Sequence, residues 1–69
     1  MDIFSERLVE LLNKVNVSQA DFAKIIGKSF QVVSNYCNNR VKPSYEILYK
    51  ICKEFGVSAD YLMGLKDEE

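Results

Sequence analysis

The chain has 69 residues, 48% of them hydrophobic, and a formal net charge of −1. That length holds one small domain and leaves no room for a second, and a domain so short buries only roughly 60% of its unfolded surface. No apolar run approaches the roughly 20 residues that a bilayer span needs, and the start Met1-Asp2-Ile3-Phe4-Ser5-Glu6 lacks the basic and apolar segments of a signal peptide, so a cytoplasmic location is expected.

The first predicted element is a helix from Ile3 to Val15. It carries Phe4, Leu8, Leu11, Leu12 and Val15 at helical spacing, and Asp2 is placed to cap it. Asn13 to Val17 breaks the pattern. Ser18-Gln19-Ala20-Asp21 reads as a capping box, in which the Ser oxygen accepts from a backbone N–H and the Asp reaches back. A short helix follows, with Ala20, Phe22, Ala23 and Ile26 apolar, and Gly27 ends it by taking positive φ without steric cost. Ser29 caps a third helix, Phe30 to Cys37, whose inward stripe is Val33 and Tyr36 with Val32 at the margin. Asn38-Asn39 closes it, since Asn is the next-best residue for the left-handed region. Lys42-Pro43-Ser44 is a breaker followed by a cap. The fourth helix, Tyr45 to Phe55, shows a stripe of Leu48, Ile51, Cys52 and Phe55 and stops at Gly56. Ser58 caps a last short helix, Ala59 to Met63, ended by Gly64. No segment alternates apolar and polar residues long enough for a strand. The expected fold is an all-α, compact five-helix domain over residues 1–64, followed by a short acidic tail, 65–69, expected to fray.

The chain has two cysteines and no histidine. Cys37 and Cys52 match no zinc spacing, and two ligands without His cannot close a tetrahedral site. Both fall where helical apolar positions recur, so they read as reduced, structural thiols. With no His, no Gly-rich phosphate loop and no base to activate a thiol, no catalytic site is expected. No metal, cofactor or small-molecule site is expected either.

A net charge of −1 argues against a nucleic-acid partner, but the charges are sorted along the chain. From Phe22 to Tyr45 there is no acidic residue, while Lys24, Lys28, Arg40 and Lys42 all lie there. Local sign asymmetry shapes the surface potential more than the total does. Within this stretch, two capped helices joined at Gly27 suit a helix-turn-helix. Opposite Val33 and Tyr36, the second of these helices offers Gln31, Ser34 and Asn35, with Phe30 and Lys28 at its start. Gln and Asn can bond adenine bidentately, Lys can reach guanine, and an apolar ring can meet a thymine methyl. These five are the candidate base-contacting residues. Gln19, Ser29, Asn39, Arg40 and Lys42 are the candidate phosphate-contacting residues, because first-turn N–H groups, short polar side chains and cations hold phosphates. Such polar residues on an exposed face are also compatible with plain solvation. Their combination with caps, a glycine turn and flanking cations favours the site.

These stretches resemble the lambda repressor and Cro type of helix-turn-helix, the Xre-like regulators. The resemblance rests on Glu6-Arg7-Leu8, Val17-Ser18-Gln19-Ala20-Asp21-Phe22-Ala23, Ile26-Gly27-Lys28-Ser29, Val33-Ser34-Asn35-Tyr36, Lys42-Pro43-Ser44 and Gly56-Val57-Ser58-Ala59-Asp60-Tyr61-Leu62-Met63-Gly64. It implies a five-helix domain that binds a double-stranded DNA operator, commonly as a homodimer, and regulates transcription. It carries DNA contacts to Gln19, Ser29, Phe30, Gln31, Ser34, Asn35, Asn39 and Arg40. The chain departs from the family pattern at three places. Leu12 and Cys37 stand where the family commonly has an Arg–Glu ion pair, so Leu12 is expected to pack on Cys37. Asn39 stands where Gly is frequent. Phe30 stands where a polar residue is common, and it can read a thymine methyl, pack at the core edge or form a surface patch. An expected dimer surface is the C-terminal half, around Tyr45, Tyr49, Tyr61, Met63 and Leu65, although these aromatics read equally as core or edge-of-core residues. The alternative function is a protein–protein interaction module of the same fold, an antitoxin or antirepressor partner with little DNA binding.

Overall fold

The computed structural model describes residues 3–67. Among them are five helices and no strand: α1 (Ile3–Val15), α2 (Gln19–Ile26), α3 (Phe30–Cys37), α4 (Tyr45–Phe55) and α5 (Ala59–Leu62). The expected cap at Asp2 and the tail residues Glu68 and Glu69 lie outside the described residues.

Serine hydroxyls start four of the helices. Ser18 Oγ accepts the Asp21 N–H at 3.1 Å, Ser29 Oγ that of Val32 at 3.2 Å, Ser44 Oγ that of Ile47 at 3.3 Å and Ser58 Oγ that of Tyr61 at 3.1 Å. Each satisfies a donor that the helix itself cannot, a contribution of about 1 kcal/mol apiece. The ends are left-handed turns. After α1, Asn16 takes φ 58°, and the Val17 N–H reaches back to Leu12 O at 3.0 Å. The sequence reading missed this role for Asn16. After α5, Gly64 takes φ 81°, and an added Cβ would lie 2.7 Å from Ile3 Cγ2, so its hydrogen is needed for packing as well as for backbone freedom.

One core joins all five helices. Its deepest members are Leu8, Leu11, Phe22, Val33, Ile51, Tyr61 and Leu62. Aromatic pairs tie it across helices: Phe4 of α1 meets Tyr36 of α3 edge-on with centroids 6.1 Å apart, and Phe22 of α2 lies 5.5 Å from Phe55 of α4. The periodicity located these faces with small errors of rotation. On α4 the buried residues are Ile47 and Ile51, while Leu48, Cys52 and Phe55 pack partly buried beside them. Val15 and Ala20, expected inward, are exposed, and Ser5 is buried.

Tyr61, open in the sequence to a dimer-surface or a core reading, lies in the core. Its ring is 2% exposed, Arg7 stacks over it at 4.7 Å, and its hydroxyl donates to Glu10 Oε1 at 3.0 Å. Arg7 also reaches Asp67 at 3.3 Å, across an otherwise exposed carboxylate, a pairing of little energetic weight. Leu65 N–H donates to Asp60 O at 2.7 Å, which folds the start of the tail back on α5.

Both cysteines are free thiols, partly buried. Burial pushes the Cys37 and Cys52 thiols and the Tyr36 phenol above their ordinary values. A raised folded pKa means that the unfolded chain loses these protons first as pH climbs. Their contribution to stability is therefore intact below the ordinary thiol value of about 8.5 and is lost above it. Thermal melts at pH 7 and pH 10 should show a lower midpoint at pH 10, and a Cys37→Ala, Cys52→Ala chain should show less of that loss.

Candidate nucleic-acid interface

The turn between α2 and α3 is built by two residues. Gly27 takes φ 72°, ψ 33°, and its N–H bonds to Lys24 O at 3.3 Å while the Lys28 N–H bonds to Ala23 O at 2.9 Å. That double bond pattern closes α2 and requires the left-handed conformation at position 27. Space does not require glycine there, because the nearest atom to an added Cβ is Lys50 Nζ at 4.0 Å. Ser29, extended at φ −77°, ψ 159°, then starts α3 in a new direction.

α3 stands on Val33 and Tyr36, which are 0% and 5% exposed. Val32 packs partly buried beside them. Phe30 is 56% exposed and outside the core cluster, which removes the core-edge reading of this ring. Val32 occupies that margin instead. Gln31 is exposed, and Ser34 and Asn35 are half-buried. The polar side chains are paired along the helix. Gln31 Nε2 donates to Asn35 Oδ1 at 3.2 Å, and Asn38 Nδ2 donates to Ser34 O at 2.9 Å and to Ser34 Oγ at 3.3 Å. Asn38 was not among the candidate residues. Its spacing of four from Ser34, like that of Asn35 from Gln31, is the signal that could have marked both pairs.

The other candidates flank this face. Lys28 and Ser29 are exposed at the start of α3, with the Ser29 oxygen engaged in capping. Gln19 is half-buried in the first turn of α2. Beyond α3, Asn39 takes φ 60°, and the Arg40 N–H bonds to Asn35 O at 2.9 Å, repeating at the end of α3 the closure seen at Gly27. Arg40 and Lys42 are exposed after it. The structure thus gathers Lys28, Ser29, Phe30, Gln31, Ser34 and Asn35 on or beside one short helix. Asn39, Arg40 and Lys42 lie past its far end, about 12 Å along the axis. α3 has no acidic residue in its first turn, so nothing there opposes the approach of an anion.

A capped helix, a left-handed glycine and a second capped helix seated on two buried side chains define a helix-turn-helix. The chain belongs to the helix-turn-helix family of the Cro/C1 type, whose model matches residues 8–62. Its five helices are arranged as in lambda-repressor-like domains. The chain is similar to the SOS-response transcriptional repressor LexA from Eubacterium rectale, with 28% identity over 88% of this chain and 65% of that one and a TM-score of 0.84. It is similar also to a transcriptional regulator from Listeria innocua, with 26% identity, 96% and 62% coverage and a TM-score of 0.85. The DNA-binding domain of the P22 C2 repressor is 29% identical over 86% of this chain and 78% of that one, with a TM-score of 0.79. The chain spans less than two thirds of the first two of these structures. No curated protein matches it. Among the described residues no helix is long and apolar enough to cross a membrane.

Proposed function

We propose that this chain is a sequence-specific double-stranded DNA-binding regulator of transcription, a repressor, that lays α3 in the major groove. The observation that carries this reading is the outer face of α3. It is an uncharged, hydrogen-bonding surface bearing one exposed ring, held rigidly by Val33 and Tyr36 and flanked at both ends by cations. In this role Lys28, Phe30, Gln31, Ser34 and Asn35 meet base edges, while Gln19, Ser29, Asn39, Arg40 and Lys42 hold phosphates. The protein acts in the cytoplasm, where its operator is.

One short helix reads only a few base pairs, so specificity calls for two half-sites about 34 Å apart and a homodimer on DNA. Tyr45, Tyr49, Met63 and Leu65 are 82%, 58%, 48% and 72% exposed, and they offer the apolar surface for pairing. A protein-contact role for the same fold is favoured by one observation, the exposed ring of Phe30.

Titration of a selected operator and of a random duplex at several salt concentrations tests the proposal. Affinity for the operator should fall linearly in log–log form, by about 0.9 per phosphate neutralised. Gln31→Ala should cost roughly 1–3 kcal/mol on the operator and narrow the gap to random DNA. Arg40→Ala should weaken both duplexes alike and flatten the salt slope. Salt-insensitive binding, or unchanged discrimination in the glutamine variant, would contradict this assignment.

A further inference from the structure

We propose that two copies of this chain pair through antiparallel α4 helices. Tyr49 stacks on the partner's Tyr49 at the two-fold axis, and on either side of it Glu46 pairs with the partner's Lys53. The inference deepens the homodimer reading above and rests on it. Tyr49 lies on the side of α4 opposite the buried Ile47 and Ile51, and it is 58% exposed. It borders an open groove that Tyr45, Glu46, Lys50, Lys53 and Glu54 also line. Lys53 Nζ stands 6.0 Å from the centre of the Tyr49 ring. Among the described residues, Glu46 and Lys53 enter no ion pair within the chain. The outer face of α4 therefore presents an aromatic ring set between an anion and a cation.

The spacing of the charges selects both the partner and its direction. Glu46 is three residues before Tyr49 and Lys53 four after it, so all three share one helix face. Along the axis they lie roughly 4.5 Å and 6 Å from the ring's position. In a parallel pair Glu46 would face Glu46 and Lys53 would face Lys53. Reversing one helix about Tyr49 instead brings each Glu46 to within about 1.5 Å, along the axis, of the partner's Lys53. One ring stack is then flanked by two ion pairs, which is the self-complementary patch that a two-fold axis requires. The same face carries Lys50 and Glu54, so its four charges cancel and two copies meet without net repulsion. A helix of 11 residues is about 16 Å long, too short to bury the roughly 1,600 Å² of a standard interface. The free dimer is therefore weak, and an operator holding two copies side by side strengthens it through effective concentration.

Charge reversal tests the pairing, with self-association read by sedimentation equilibrium of the free chain and by the cooperativity of operator binding. Glu46→Lys and Lys53→Glu each set like charges together twice, and each should weaken self-association by about 10-fold. Mixing the two variants restores both pairs in a heterodimer, and the mixture should associate at least as tightly as wild type. Disulfide cross-linking reads the register. In a Cys37→Ala, Cys52→Ala chain, Tyr49→Cys should cross-link faster than Met63→Cys or Leu65→Cys, both free and on the operator. The mixed charge variants should cross-link through Tyr49→Cys as well, which ties the rescue to this register. Thermal melts check that every variant is folded. Self-association that neither single charge variant weakens, or cross-linking fastest at Met63→Cys or Leu65→Cys, overturns the α4 pairing and leaves the homodimer reading standing. A chain that sediments as a monomer when free and binds the operator as a single copy ends both.

Discussion

A Cys37→Glu substitution is expected to destabilise the domain by about 3 kcal/mol, the low end of the cost of stranding an unpaired charge, because the position is only partly buried. Cys37 is the last residue of α3 and packs partly buried against the core. Beside it Ser5, Val9 and Asn13 of α1 line a surface groove together with Glu6 and Glu10. A carboxylate at position 37 would find no cation there and would face two carboxylates across the groove. Leu12, at the position where the family commonly supplies an arginine, is 5% exposed and apolar. For a domain of this size, about 3 kcal/mol lowers the melting temperature by at least about 12 °C. Leu12→Arg alone should also destabilise, and the double variant should lose less than the sum of the two. A Cys37→Glu chain that melts with wild type would show that position 37 is not part of the α1–α3 contact.

Tyr61→Ala is expected to cost a similar amount, about 3–5 kcal/mol, as truncation of a large buried aromatic side chain does. The ring fills the space between α5 and α1, beneath the Arg7 guanidinium. Removing it withdraws the packing that holds the four-residue α5, along with the bond to Glu10. Tyr61→Phe keeps the ring and removes the hydroxyl with its bond to Glu10 and its interaction with Arg7, and should cost about 1 kcal/mol. Chemical denaturation of both variants at two protein concentrations checks this. If Tyr61 lined a dimer surface instead, Tyr61→Ala would change the concentration dependence of the transition and leave the monomer's stability nearly intact.

The fold was legible because its boundaries are written in local chemistry. Ser18, Ser29, Ser44 and Ser58 each cap where a serine precedes an apolar run, and Gly27, Gly56 and Gly64 each end a helix with positive φ. Those effects act over four or five residues and need no tertiary contact to be inferred. Rotation of the helices about their axes was less legible. Ile47 and Leu48 are neighbours of similar hydropathy, and only the packing of α4 on α2 and α5 decides that Ile47 lies deeper. Tyr61 was ambiguous for the same reason: tyrosine suits both a core with a polar outlet and a wet interface, and Glu10, 51 residues away in sequence, supplies the outlet. Asn16 shows a different gap. Its left-handed turn uses a residue that tolerates positive φ without demanding it, so the sequence marks a break there without marking its geometry. In the candidate interface, the burial of Val33 and Tyr36 could be read from helical spacing. The spacing of four brings Gln31 near Asn35 and Ser34 near Asn38, but whether those side chains bond depends on rotamers that a pattern of residue types does not specify.

In the proposed role, the outer face of α3 and its cationic flanks form the surface that meets DNA. Backbone amide shifts recorded during titration with a selected duplex test it most directly. The largest changes are expected at Lys28 to Asn35, with a second group at Asn39 to Lys42 and at Gln19, and little change along the outer face of α4 that is not explained by dimerisation. Changes confined to Tyr45, Tyr49 and Met63, with α3 unmoved at saturating DNA, would contradict it.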